Sequence, residues 1–278
     1  MKWTDRRIAI LLTLPAIIYV VAFAFYPIVL AVYGSFQTPS QHNVLSNYQL
    51  LPSFGIYEAI DNTLVVTGFA LLWQFIVAFA AANMLIKQFR GRSVLYASMI
   101  IPYASATVVA AFIFGNIFTT GQGSYLNSFL SVFGISPINW TGVYEGSYPL
   151  NVLTIVLADG WKNISVVALI LMAGMTTIPQ EIYRAAEIDG AGTVQKFFRI
   201  TLPNLKGYIA IALIIRGVSE FNIFAIALLL FPYKLLTTLT YGLYDIANPY
   251  LSYASATVLL GLVLVFAVIV AFYRSRGT

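Results

Sequence analysis

The sequence predicts an all-α polytopic membrane protein with six transmembrane helices. Three observations predict it: 60% of the 278 residues are hydrophobic, only 9% are charged, and long apolar runs recur along the chain. A soluble domain carries about 25% charged residues. So little polar surface cannot cover a water-soluble globule, so lipid replaces water as the solvent for most of the chain.

A helix needs about 20 apolar residues to cross the hydrocarbon core. Six runs qualify: Ile8–Phe36, Thr63–Ile86, Val94–Phe118, Leu150–Thr177, Leu205–Leu230 and Tyr253–Tyr273. The first exceeds the signal-peptide core of about 7–15 residues and lacks a small-x-small cleavage site, so it is expected to remain as a membrane helix. The whole chain, 1–278, is expected to form a single transmembrane domain.

Orientation follows from the basic residues. Lys2, Arg6 and Arg7 precede the first run, and Lys87, Arg90 and Arg92 fill the second loop. Arg184, Lys196, Arg199 and Lys206 lie in or beside the fourth loop, and Arg274 and Arg276 close the chain. The opposite loops hold only Lys234, while Lys162 and Arg216 sit inside runs. Positive charge collects on the cytoplasmic side. Both termini are therefore expected in the cytoplasm, with the chain in the cell (inner) membrane. The net charge of +5 is thus a topology signal and not a nucleic-acid footprint. Of the outer loops, 37–62 is polar, 119–149 carries Trp140 and Tyr144 suited to an interfacial belt, and 231–252 contains Pro232 and Pro249.

Several chemistries are excluded. Cysteine is absent, which removes disulfides, thiolate metal sites and a cysteine nucleophile. A lone histidine, His42, in a polar stretch cannot form a His-cluster metal site. No Gly-x-x-x-x-Gly-Lys-Ser/Thr sequence and no Ser/His/Asp arrangement occurs, so the chain neither cradles ATP through a P-loop nor reads as an enzyme.

The loop 178–203 is the most informative segment. It reads as two short helices across a sharp turn. Thr177 with Gln180 fits a capping box, Pro179 suits an early helical position and Glu181 favours the first turn. Gly190 supplies a stop in the left-handed conformation. Thr193 can cap a second helix with Val194, Phe197 and Phe198 on one apolar face, and Pro203 interrupts it. By its residues alone the loop is an interfacial amphipathic hairpin or a docking element for a soluble partner.

Here the chain resembles a known family. Tyr183-Arg-Ala-Ala-Glu-Ile-Asp-Gly-Ala-Gly192 and Phe198-Arg-Ile-Thr-Leu-Pro203 look like the EAA loop of binding-protein-dependent ABC importer permeases. Smaller matches favour the carbohydrate branch, the maltose, glucose and glycerol-3-phosphate type. They are Pro15, Tyr26-Pro27, Ser35-Phe36, Asn62-Thr63, Pro102, Gly123-Ser-Tyr-Leu-Asn127, Trp140 and Tyr253-Ala-Ser-Ala256. Two departures stand out: Arg184 replaces the usual Glu, and the usual Gly-Gly-Pro is reduced to Phe231-Pro232.

The resemblance implies a permease that moves a sugar by alternating access. Its partners would be a second permease, two ABC ATPase subunits and an external solute-binding protein. ATP and magnesium would belong to the ATPase, with no cofactor on this chain. The coupling residues would be Tyr183, Arg184, Ala185, Ala186, Asp189, Gly190 and Ala191.

Polar residues inside the runs are the other candidates, because ionisable groups in a bilayer face a bundle interior or a water-filled cavity. Asp159 and Lys162 are spaced to pair on one helical face, with Trp161 and Asn163 beside them; Arg216 and Glu220 are spaced likewise, near Asn222. They read as packing pairs, as the lining of a sugar path, or as a proton relay. The run Ala78-Phe-Ala-Ala-Ala82 reads as close helix packing. Rival readings are a permease for a non-sugar solute, an ion-driven secondary transporter using Asp159 or Glu220, and a membrane scaffold.

Overall fold

The computed structural model of the protein describes residues 3–37, 44–119, 123–140, 150–230, 235–245 and 248–275. Lys2, His42, Tyr144, the Phe231-Pro232 pair, Lys234 and Arg276 lie outside the described residues. Among the described residues every regular element is helical.

The chain opens with α1 (Trp3–Val20), a π-helical turn (Val21–Phe25) and α2 (Tyr26–Ser35). Pro27 has no N–H for the preceding turn, and the helix widens there instead of ending. The apolar stretch of this helix buries nothing against the rest of the chain. Only its end is anchored. After α3 (Ser46–Leu50), Asn47 Nδ2 donates to the Ser35 and Gln37 carbonyls at 2.9 and 2.8 Å, and the Tyr48 hydroxyl donates to Ser35 Oγ at 2.7 Å.

Next come α4 (Ile56–Ile86), α5 (Arg92–Ala104), α6 (Thr107–Phe118), α7 (Tyr125–Ser131) and α8 (Leu150–Thr176). The α4 and α8 helices form the centre. Ala78, Ala81 and Ala82 of α4 are buried against Val167, Ala168 and Leu171 of α8. Lipid is as apolar as leucine, so close van der Waals packing of small residues draws helices together where water would not. The alanine run packs as its sequence predicts.

Beyond α8 lie α9 (Gln180–Ile188), α10 (Thr193–Lys196), a second π-helical turn (Phe197–Thr201), α11 (Leu202–Asn204) and α12 (Lys206–Phe221). Pro203 follows this π turn as Pro27 follows the first, for the same reason. The chain ends with α13 (Ala225–Leu230), α14 (Leu236–Asp245) and α15 (Pro249–Ser275). The α15 helix crosses α2 so closely that a Cβ on Gly34 would lie 2.4 Å from the Tyr253 ring. Thr63 of α4 pins the start of α14, its hydroxyl donating to the Ala59 carbonyl at 2.7 Å and accepting the Leu236 N–H at 2.9 Å.

Six spans are expected; among the described residues four helices meet the requirement, and six are reached only if each of two bent pairs crosses as one. Four helices are long and apolar enough to cross a membrane unbroken: Arg7–Ser35, Ile56–Ile86, Val152–Thr176 and Pro249–Ser275. The third run is a bent pair, Arg92–Ala104 with Thr107–Phe118 at 103°, and at the start of the fifth run a 70° bend separates Thr193–Asn204, largely within the loop 178–203, from Lys206–Phe221. The fifth run breaks again after Phe221, before α13. Helices α7 and α14 fall in stretches read from sequence as outer loops; α14 owes its place to tertiary burial of Leu236 and Leu243.

Candidate functional site

Two places gather the chemistry: a polar cavity inside the bundle and the exposed hairpin 178–203. The cavity lies where helices break. At the first break Ser105 leaves the helical conformation, and its hydroxyl donates to the Pro102 carbonyl at 2.6 Å. At the second, Asn222 Nδ2 donates to the Val218 carbonyl at 2.7 Å. The Pro102 carbonyl also accepts the Ser105 N–H at 3.1 Å, while the Asn222 side chain covers a carbonyl that a continuing helix would have paired. Between the breaks is a cavity of about 350 Å³. Asp159, Lys162 and Asn163 of α8 line it, with Arg216 and Ser219 of α12. The breaks contribute Thr107, Asn222, Ile223 and Phe224, and Ala225 and Ile226 of α13 close the apolar side of the wall.

Behind this wall sits a buried cluster from three helices. Arg216 Nη2 donates to Asp159 Oδ2 at 3.0 Å and also to Glu220 Oε1. Arg216 Nε donates to Gln74 Oε1 at 3.1 Å. The Gln74 amide in turn donates to Glu220 Oε1 at 2.9 Å and Asp159 Oδ2 at 3.2 Å. All four residues are buried, Gln74 completely. Two carboxylates therefore share one guanidinium, whose planar fork suits several acceptors at once.

This geometry corrects the expected Asp159–Lys162 pair. Asp159 bonds across to α12, because the arginine fork reaches it along with Glu220 and Gln74. The Lys162 ammonium is instead 3.5 Å from the Tyr103 carbonyl and 5.6 Å from the centre of the Tyr103 ring. The expected Arg216–Glu220 pair forms, as part of the larger cluster. Of the sequence candidates, Asp159, Lys162, Asn163 and Asn222 share the cavity. Glu220 stands behind the wall, and Trp161 packs on Phe114 with ring centres 5.7 Å apart, outside the lining. The aromatic face in the wall is Phe224, which rests on Tyr241. Sequence reasoning missed Gln74. Its signal is that it is the one amide in the apolar stretch between Thr63 and Asn83, a stretch with no ionisable residue to draw attention to it.

The hairpin is built as a closed turn. The Ala191 N–H reaches the Ala186 carbonyl at 2.8 Å and the Gly190 N–H reaches the Glu187 carbonyl at 3.0 Å. This is a Schellman closure, and Gly190 holds the left-handed conformation it requires, at φ +78°. Two expected caps are replaced. Thr177 donates to the Gly174 carbonyl of α8 at 2.7 Å, leaving Pro179 at the start of α9, because the last turn of α8 still has open carbonyls. Gly192, not Thr193, caps α10, with Gln195 Oε1 accepting its N–H at 3.2 Å.

Lys196 joins the two short helices through Glu187 at 2.6 Å. That bond and the charge behind it hold the Glu187 carboxyl below the usual carboxylate range. Tyr183 bonds Thr201 at 2.9 Å, and Phe197 packs edge-on against Phe79 of α4 at 5.4 Å, so the hairpin is tied to the bundle. Outward it presents Ile188, Val194 and Phe198, exposed by 88%, 69% and 60%. Arg184, Ala185 and Asp189 are exposed beside them, with Ala186 and Ala191 half-buried.

Broken helices around a cavity, set in an apolar bundle with an exposed tied hairpin, are the frame of a polytopic membrane protein with a docking element outside the bundle. Residues 74–276 match the family described as binding-protein-dependent transport system inner membrane component. The chain belongs to that family. It is 32% identical to the trehalose/maltose transport system permease protein of Thermococcus litoralis, over 81% of this chain and 77% of that protein. It is 33% identical to the arabinooligosaccharides permease protein of Bacillus subtilis, over 80% and 71%. The sn-glycerol-3-phosphate permease protein of Escherichia coli is 29% identical over 95% and 93%. Among solved structures, a bacterial ABC transporter that imports the acidic polysaccharide alginate shares the fold, with a TM-score of 0.81 at 22% identity, covering 99% of this chain and 98% of that one.

Proposed function

We propose that this chain is the permease of an ATP-driven importer that passes a sugar across the membrane through the polar cavity. The observation that carries the reading is the cavity wall itself: Asn163, Asn222, Ser219 and Thr107 offer donors and acceptors beside the Phe224 ring. Sugar hydroxyls call for such hydrogen bonds, and an aromatic face suits the apolar side of a pyranose. The relatives named for trehalose, maltose and arabino-oligosaccharides support the same class. In the ion-driven alternative the acids would have to exchange protons or ions while Asp159 Oδ2 and Glu220 Oε1 are bonded to Arg216 and Gln74, which leaves Glu220 Oε2 as the oxygen such a relay would use.

The hairpin is the coupling element of this proposal. Ile188, Val194 and Phe198 would seat in a groove of a soluble ATPase, with Tyr183, Arg184, Ala185, Ala186, Asp189, Gly190 and Ala191 forming the contact and its turn. Arg184, exposed where the family usually has an acid, calls for an acid in that groove. The full assembly is one further permease, two ATPase subunits that bind ATP and magnesium, and an external binding protein. Both termini and the hairpin face the cytoplasm. ATPase closure pulls the hairpin, and its ties through Tyr183 and Phe197 pass the motion to the bundle.

The test uses the assembled transporter in membrane vesicles with labelled trehalose, maltose, an arabino-oligosaccharide and sn-glycerol-3-phosphate. ATP-dependent uptake of a sugar by the native chain, lowered at least tenfold by Asn163→Ala or Asn222→Ala with hydrolysis retained, is the expected result. Uptake that both variants leave untouched would remove the cavity from the path. Uptake by this chain alone under an ion gradient would overturn the importer reading.

A further inference from the structure

We propose that Gln74 is a positioning residue that sets the charge of the cavity wall by holding Arg216 between its two carboxylates. The inference deepens the reading of the cavity as a solute path, but its test does not depend on that reading. The wall contains Arg216 and Asp159, and the state of both is decided by a residue that does not line the cavity. Gln74 is the hub: it touches Asp159, Arg216 and Glu220, joining α4 to α8 and α12.

The residue type is specific. An amide here both accepts from the guanidinium and donates to the two acids. A carboxylate would accept from Arg216 but repel both acids. An apolar chain of the same length would leave Arg216 Nε without its acceptor, and the guanidinium, which already borders the cavity, would swing further into it for a partner. Lys162, one turn beyond Asp159, already presents a cation there. The amide therefore holds the Arg216 guanidinium within the wall, bound to its two carboxylates, and keeps it from projecting into the space that Asn163, Ser219 and Asn222 face.

The chain has no cysteine, so Asn222→Cys places a single thiol in the cavity wall. Its rates of modification by a cationic and an anionic methanethiosulfonate report the local field. The protein is the assembled complex, accepted only where the ATPase co-purifies. Gln74→Met changes no formal charge. It is expected to shift the cation-to-anion rate ratio at least threefold toward the anionic reagent, as Arg216 enters the cavity. A space-filling role for Gln74 predicts an unchanged ratio, and that result overturns the inference.

If Gln74→Met does not assemble, the exchange Gln74→Glu with Glu220→Gln decides. It keeps one amide, two carboxylates and the net charge around Arg216, at the loss of the 3.2 Å bond to Asp159 and of one of the two bonds now made at Glu220 Oε1. A ratio within twofold of native is expected, with Gln74→Glu alone shifted at least threefold toward the cationic reagent. An exchange variant as perturbed as the single one would overturn the inference. Should Asn163→Ala leave uptake unchanged while the ratio shifts as expected, the path reading fails and the Gln74 assignment stands.

Discussion

Replacing Gly190 separates two explanations of the hairpin turn, bulk and backbone conformation. A Cβ built on Gly190 meets nothing within 4 Å, so a larger side chain blocks nothing. The constraint is φ +78°, a region that a β-branched residue enters only with strain. That strain is about 1–3 kcal/mol. The alternative is to open the closure and lose the Gly190–Glu187 and Ala191–Ala186 bonds, each worth about 0.5–1.5 kcal/mol. Both routes come to roughly 2 kcal/mol, near a thirtyfold shift toward an opened turn. Gly190→Val should therefore fray the hairpin while leaving the bundle intact. Gly190→Asn, which tolerates the left-handed region, should remain near native. The assay is the ratio of ATP-driven uptake to ATP hydrolysis in vesicles, with hydrogen exchange of the hairpin amides alongside. Valine should lower the ratio at least fivefold and speed exchange at Gly190 and Ala191, and asparagine should do neither. Equal behaviour of the two variants would refute the conformational argument, and unchanged coupling in both would remove the turn from the coupling element.

Three other perturbations read other parts of the structure. Arg216→Met leaves Asp159 and Glu220 buried without their cation, a loss of about 3–5 kcal/mol, so the detergent-solubilised chain should unfold at a clearly lower temperature by fluorescence-detected gel filtration. Thr63→Val removes the acceptor of the Leu236 N–H and should cost about 1–2 kcal/mol, seen as faster hydrogen exchange confined to the start of α14. The Glu187 carboxyl lies below its ordinary range because Lys196 bonds it. Its link between α9 and α10 is therefore fully present above the ordinary carboxylate pKa and lost as pH falls through the lowered folded value. Exchange at the α10 amides, corrected for its intrinsic rate, should rise only in that acidic window, and Glu187→Gln should abolish the pH step.

Much of the fold was legible because lipid imposes a length rule on apolar runs, and four of the six runs obey it without interruption. Gly190 was legible because only a left-handed stop explains a glycine between two helical patterns. What escaped was decided at a distance. Asp159 has an eligible cation one turn away in Lys162, and local spacing favours that pair. The packing of α8 on α12 brings a better partner, Arg216, which satisfies Glu220 and Gln74 at the same time. No spacing rule within one helix could rank these cations. The place of Trp161 was hidden for the same reason: its ring meets Phe114 on α6, beyond a bend of 103° that the apolar run does not announce.

The bends and the cavity have one cause. A backbone break at membrane depth leaves N–H and C=O groups unpaired, which hydrocarbon does not tolerate. Such a break persists only where side chains or water cover it. At the first break the Ser105 N–H and hydroxyl both reach the Pro102 carbonyl, and at the second the Asn222 side chain covers the Val218 carbonyl. Thr107 and Asn222, at the edges of those breaks, line the same cavity. The cavity thus supplies the polar environment that lets the helices break, and the breaks supply much of the wall that makes it polar. Continuous helices through Ser105 and Asn222 would close over the space. A residue that favours continuation at either point therefore acts on the cavity as directly as a change in its lining.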